Sequence, residues 1–101
     1  MENQNPDNQL QIELKEEVAQ GTYANLAIIT HSSSEFELDF VRVLPGLPKA
    51  GVQSRIILAP EHAKRLQRAL EENIAKYERA FGPIRLQEED TPPILDIKGE
   101  A

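Results

Sequence analysis

The feature that most constrains this chain is a stripe of apolar residues between Pro60 and Gly82. Its members recur at steps of three or four residues, a spacing that places them on one face of an α-helix. Proline at the first helical position and the pair Gly-Pro behind the last one predict a helix over residues 60–81. Because an isolated helix of this length is marginal in water, we expect a sheet or a second subunit to cover the stripe. The stripe consists of Ala63, Leu66, Leu70, Ile74, Tyr77 and Phe81.

Four segments before this helix predict β-strands. Residues 10–15 alternate strictly between apolar and polar, residues 23–31 are apolar on both faces in the middle, residues 36–43 alternate again, and residues 55–58 are short and aliphatic. The three serines at 32–34 predict a hairpin, and the Pro- and Gly-rich residues 45–51 predict a loop. We therefore expect an α+β fold, with a small antiparallel sheet of about four strands followed by one long amphipathic C-terminal helix.

The third of these segments changes character towards its end. Glu37 and Asp39 make one face acidic, but Val41 and Val43 continue that face with apolar side chains. We expect this end to be covered, with a second subunit as one candidate for the cover.

The domain organisation follows from where these patterns begin and end. We expect residues 1–9 to form a disordered arm, residues 10–84 a single α+β domain, and residues 85–101 an acidic tail that is extended or disordered. Ile94, Leu95 and Ile97 offer the alternative of a docking strand within that tail. A chain of 101 residues with only 5% aromatics has a thin core, which favours a homodimer.

Composition narrows the classes of function. The chain has no cysteine, which excludes disulfides, thiolate nucleophiles and Cys-rich zinc sites. It has no run of 18 apolar residues and no signal-like N-terminus, so we expect a cytoplasmic protein without a membrane partner. The net charge is -6, yet residues 41–85 hold nine Lys or Arg against four Glu. Acidic segments on both sides of this basic middle suit self-neutralisation, although a basic patch for an anionic partner remains the alternative.

Several short motifs follow one another in a fixed order between residues 23 and 84. They are Tyr23-Ala24-Asn25, Phe36-Glu37-Leu38-Asp39-Phe40, Leu44-Pro45-Gly46, the run from Arg55 to Lys64, Lys76-Tyr77-Glu78 and Phe81-Gly82-Pro83-Ile84. Together they resemble a family of small prokaryotic proteins known only as a domain of unknown function. The resemblance implies an α+β domain, without a reaction, a cofactor or catalytic residues.

Titratable residues of the kinds that support catalysis do not form a recognisable set. His62 follows Glu61 in the first helical turn but lacks the His-Glu-x-x-His spacing of a metal site. His31 precedes three serines without an orienting acid in sequence, and the carboxylates of residues 35–39 alternate along a strand about 7 Å apart. We therefore predict no catalytic, cofactor-binding or metal-binding residue, and no enzyme.

Two binding functions compete. The first is a noncatalytic, oligomeric module for a protein partner, an adaptor or chaperone-like protein, in which an open sheet edge and the loop residues Leu47 and Lys49 make contact. The second is a nucleic-acid-binding regulator. Its strand and basic helix resemble the strand and first helix of ribbon-helix-helix repressors, although one uninterrupted helix replaces their helix, turn and helix. Its candidate contacts are Arg55, Lys64, Arg65 and Arg68.

Overall fold

A computed structural model describes residues 9–87 and, for the backbone, residues 94–96. The expected disordered arm, apart from Gln9, and most of the expected acidic tail lie outside these residues. In chain order the elements are the short helix α1 (Glu16–Ala19), the strands β1 (Leu26–His31), β2 (Phe36–Arg42) and β3 (Gly51–Leu58), the helix α2 (Pro60–Phe81) and the strand β4 (Ile94–Asp96).

The strands form one sheet in the order β3-β2-β1-β4. The first three are antiparallel to their neighbours, whereas β4 lies parallel to β1. An antiparallel sheet followed by a long helix confirms the predicted α+β class. The antiparallel part has three strands, so the predicted count of about four is wrong.

The segment at residues 10–15 accounts for the difference. It forms no strand, and Leu10 and Ile12 leave 86% and 89% of their surface exposed. Alternation specifies which face of a strand is apolar, but a strand also needs a neighbour to hydrogen-bond with. Within the sheet, β1 already has β2 on one side and β4 on the other. The segment therefore has no place beside β1.

The hairpin between β1 and β2 follows the serine signal in the sequence. The Ser32 amide donates to the Glu35 carbonyl at 2.9 Å, which closes a two-residue loop of Ser33 and Ser34. At the opposite end, Asn25 extends the pairing past the last ladder residue. Its side-chain amide donates to the Val43 carbonyl at 3.0 Å, and its side-chain oxygen accepts from the Val43 amide at 2.8 Å.

The long helix has the predicted bounds. Pro60 occupies its first turn, and Gly82 ends it with a φ of 96°, a backbone conformation that side-chain-bearing residues avoid. Glu78 stabilises this end of the helix with two hydrogen bonds. Its carbonyl accepts from the Gly82 amide at 2.8 Å, and its carboxylate accepts from the Ile84 amide at 2.9 Å. These bonds give a structural reason for the spacing between Glu78 and the Gly-Pro-Ile sequence.

The core is confined to the middle of the sheet. Leu38 and Val41 are its buried apolar residues among those described, and Val41 retains only 3% exposure. Val41 lies between Leu26 on β1 and Val52 on β3, so this apolar position of the acidic face is buried within the single chain. Val43, in contrast, stays exposed.

The helix α2 makes little contact with the sheet. The main contact between α2 and the sheet is with the neighbouring strand β3. The helix thus projects from the sheet and lies across little of it.

Candidate functional site

The stripe of α2 is a continuous apolar feature on the surface of the described residues. Its five large side chains keep between 39% and 74% of their area exposed, and none of the described residues of α2 is buried. Tyr77 and Phe81, one turn apart, contact each other with ring centroids separated by 4.9 Å. The sequence offered two covers for the stripe, a sheet or a second subunit. Because the stripe stays exposed, the sheet of the same chain does not cover it.

The outer side of β3 is a second exposed feature. β3 ends the sheet order, and among the described strands none pairs with its outer side. In an antiparallel sheet, successive residues of a strand direct their backbone hydrogen bonds to opposite sides, and the hydrogen-bonded pair Ser32 and Glu35 shows which residues face which side. Leu38 therefore bonds to Ile56 of β3. The residues on either side of Ile56, which are Arg55 and Ile57, direct their backbone amides and carbonyls outward. We call this outer side the β3 edge.

The loop between β2 and β3 leads directly into this edge. Its turn is closed by the Leu47 amide, which donates to the Leu44 carbonyl at 3.3 Å, and Gly46 takes a φ of 85° within it. Leu47 and Lys49, the predicted partner-loop residues, are both exposed. They stand a few residues before the first residue of β3, so loop and edge form one continuous stretch of chain.

Arg55 is engaged by the acidic row of β2. It lies directly opposite Asp39 and donates two hydrogen bonds to that carboxylate, from Nε at 2.7 Å and from a terminal nitrogen at 2.9 Å. Glu37 is a more distant ionic neighbour at 3.8 Å. The hydrogen bonds from Arg55 lower the pKa of Asp39, and Asp39 in turn raises the pKa of Arg55. The Arg55 charge is largely neutralised by its own sheet.

The basic residues of α2 lie away from the stripe. Lys64, Arg65 and Arg68 are exposed and share the opposite side of the helix. Arg65 pairs with Glu61, one turn earlier, at 2.8 Å. Of the four predicted nucleic-acid contacts, two are thus bonded to carboxylates of the same chain.

A shallow depression of about 250 Å³ lies at the β1–β2 hairpin, lined by Thr30, His31, Ser32, Glu35 and Glu37. It gathers one of the two histidines with two carboxylates. The His31 ring stacks on Phe36 with centroids 5.3 Å apart. His62 is separate and exposed in the first turn of α2. Within residues 9–87 no three His, Cys, Asp or Glu side chains are grouped as a metal site would need.

The β3 edge adds residues that the sequence had not singled out. Val52 and Ile57 each leave 54% of their area exposed, and Ile56 is similarly accessible. Their aliphatic character predicted a strand over residues 55–58, but no sequence signal tells a central strand from an edge strand. The start of β3 at Gly51 was missed because Gly51 and the register shift opposite Phe40 and Val41 interrupt the alternation.

Comparison with known protein families finds one family whose model matches this chain. The sequence model of the family described as "Protein of unknown function (DUF3467)" matches residues 1–86. This match confirms the resemblance that the motifs between residues 23 and 84 had indicated. Comparisons with curated proteins and with solved structures found no match. In the part of the chain that the structure describes, no helix combines the length and the apolar character needed to cross a membrane.

Proposed function

We propose that this chain, which belongs to the DUF3467 family, is a noncatalytic, oligomeric module that binds a protein partner. The proposal is drawn from its exposed surfaces. The observation that carries the proposal is the β3 edge, an eight-residue strand whose outer side has no partner among the described strands. The expected ligand is an extended segment of the partner protein, added to the sheet as a further strand.

The composition of β3 supports this ligand. Natural proteins protect open edges with lysine, proline or very short strands, because an open edge pairs readily with other chains. β3 contains neither lysine nor proline, its bulge lies near its start, opposite Phe40 and Val41, and the charge of Arg55 is bonded to Asp39. An edge of this length without these protections suits a strand-shaped ligand.

The side chains around the edge supply the means of selection. Backbone hydrogen bonds give affinity for any extended chain, whereas exposed side chains on alternate positions choose among sequences. Val52 and Ile57 lie on one face of β3 and Ile56 on the other, and Leu47 lies in the adjoining loop. We therefore expect a partner segment with alternating aliphatic residues.

Binding of nucleic acid is the competing outcome. It requires a contiguous basic surface, and here Arg55 and Arg65 are already paired with Asp39 and Glu61. The net charge of -6 also repels a polyanion at long range.

The test combines affinity purification with two variants at one edge position. Ile57→Pro removes an outward amide that takes no part in the sheet, so the fold tolerates it better than proline elsewhere in β3. Ile57→Ala keeps that amide and removes only the side chain. Tagged wild-type protein and both variants are recovered from native cells at moderate salt, with and without nuclease, and analysed by mass spectrometry.

The proposal expects one stoichiometric protein partner that survives nuclease, is recovered in reduced amount with Ile57→Ala, which keeps the outward amide, and is lost with Ile57→Pro. A partner kept equally by both variants contradicts recognition through the β3 edge. Recovery of nucleic acid that is released by salt, or by Arg65→Ala with Arg68→Ala, overturns the proposal in favour of the basic helix.

A further inference from the structure

We propose that the stripe of α2 binds the same stripe of a second copy, so that two antiparallel helices form a homodimer. This inference specifies the oligomeric part of the proposed function and concerns a different surface from the β3 edge. Two properties of the chain support it: the exposure of the stripe and the distribution of side-chain volume along it.

The exposure of the stripe indicates a missing cover. Its five large side chains keep between 39% and 74% of their area exposed. They form a continuous apolar surface on one rigid helix of 22 residues. Contiguous exposed apolar surfaces mark sites of contact with another chain.

A second copy is an occupant that fits the stripe along its whole length. Steps of 3, 4, 4, 3 and 4 residues suit a helix that packs lengthwise against another helix, and the sheet of the same chain leaves the stripe exposed. A two-fold contact between identical stripes requires only a surface that this chain is known to present. Over 22 residues the helix is about 33 Å long, enough for a continuous interface.

Side-chain volume favours the antiparallel orientation. The stripe begins with Ala63 and ends with the aromatic pair Tyr77 and Phe81. In a parallel pair two alanines would face each other at one end and four rings would crowd the other. In an antiparallel pair centred between Leu70 and Ile74, the small end of one helix meets the large end of the other, as close packing requires.

The first test compares two glutamate variants by light scattering at micromolar concentration. Leu70→Glu puts a charge in the centre of the stripe, and Ala75→Glu adds the same charge on the far side of α2. The inference expects a dimer for the wild type and for Ala75→Glu, and a dissociation constant for Leu70→Glu raised by at least roughly 100-fold. A monomeric wild type, or a dimer equally insensitive to both changes, overturns it.

The second test reports orientation without disturbing the fold by a charge. Because the chain has no cysteine, single introduced cysteines give unambiguous disulfides. The antiparallel pair brings Leu66 of one copy beside Tyr77 of the other. A mixture of Leu66→Cys and Tyr77→Cys should therefore oxidise mainly to the mixed dimer, while Ala75→Cys should give little product. Predominant self-linking of Leu66→Cys would establish a parallel pair and refute the orientation.

The outcomes of both tests are independent of partner binding at the β3 edge. Ile57→Pro leaves the stripe intact, so it should lose the partner and remain a dimer. Leu70→Glu leaves the β3 edge intact, so it should lose the dimer and still bind the partner through one edge. Failure of either proposal can thus be recognised without reference to the other.

Discussion

Asp39 and Arg55 show how a single pair of residues ties the two antiparallel neighbours β2 and β3 together. The carboxylate is largely covered, with 14% of its side chain exposed, and receives two short hydrogen bonds from one guanidinium. Paired bonds of this kind impose geometry as well as energy. The pair therefore helps to fix the register of β3 against β2.

This pair gives the first prediction, a stability that depends on acid pH. The pKa of Asp39 is lower in the folded chain than in the unfolded chain, where it is about 3.9. Its stabilising contribution is therefore complete above that value and is lost as the pH falls through the folded pKa. We expect the stability difference between wild type and Asp39→Asn to be constant from about pH 5 to 8 and to shrink below about pH 4.

Urea denaturation followed by circular dichroism at several pH values measures this difference. Glu37→Gln is the matched control, since its carboxylate stands 3.8 Å from Arg55, beyond hydrogen-bond distance, and should show a weaker effect. A difference for Asp39→Asn that stays constant down to pH 2.5 would contradict the pairing.

The pair of Asp39 and Arg55 also shows which features of single residues could be predicted from the sequence and which could not. The alternation at residues 36–40 placed the acidic side chains on one face of a strand. It did not supply the register between strands, and so Arg55 stood among the candidate nucleic-acid contacts of the competing hypothesis. Only the pairing of β2 with β3 shows that its charge is used within the sheet.

Among the elements, α2 is the one whose bounds follow most directly from sequence. Proline and Gly-Pro act on the local backbone, so they set the ends of a helix whatever lies around it. Strands are different, because their hydrogen bonds go to other strands. The segment at residues 10–15 has a good strand pattern and no neighbour in the described chain, whereas residues 94–96 have little pattern and pair with β1.

The C-terminal end of α2 gives a prediction at the scale of the element. Gly82 has a φ of 96°, and an added methyl group would meet no atom within 4 Å. The cost of Gly82→Ala is therefore backbone strain alone, about 1–2 kcal/mol. The urea midpoint should fall accordingly.

Gly51→Ala serves as the comparison for that measurement. Gly51 has no positive φ, and its added methyl group would stand 3.4 Å from the flexible end of Gln53. We expect its effect to be less than half that of Gly82→Ala. Equal losses for both would show that the left-handed turn does not determine the stability of this end.

For the whole molecule, the sequence predicted that the stripe needs a cover and left open what provides it. A helix that packs on its own sheet and a helix that packs on a second copy have the same spacing of apolar residues. The structure removes the first alternative within the described chain, because the stripe remains exposed. The partner-binding surface was harder to predict, since the edge position of β3 depends on the order of all strands.

Dimerisation makes stability depend on concentration. If folding and pairing are linked, a tenfold increase in protein should raise the melting temperature by about 3 °C. Leu70→Glu should remove this dependence, and Ala75→Glu should keep it. Calorimetry over a hundredfold range of concentration measures both, and a wild-type melting temperature that does not change would argue for a monomer.

One short connection acquires importance in such a dimer. Only Ala59 separates the end of β3 from the start of α2, and Pro60 restricts the chain immediately behind it. The paired helices would therefore hold the two β3 edges at a fixed distance and angle. The assembly would be divalent, and a partner carrying two suitable segments at the matching separation would bind with far greater avidity than either segment alone. The dimer would in this way select a partner by the separation of its two segments as well as by their sequence.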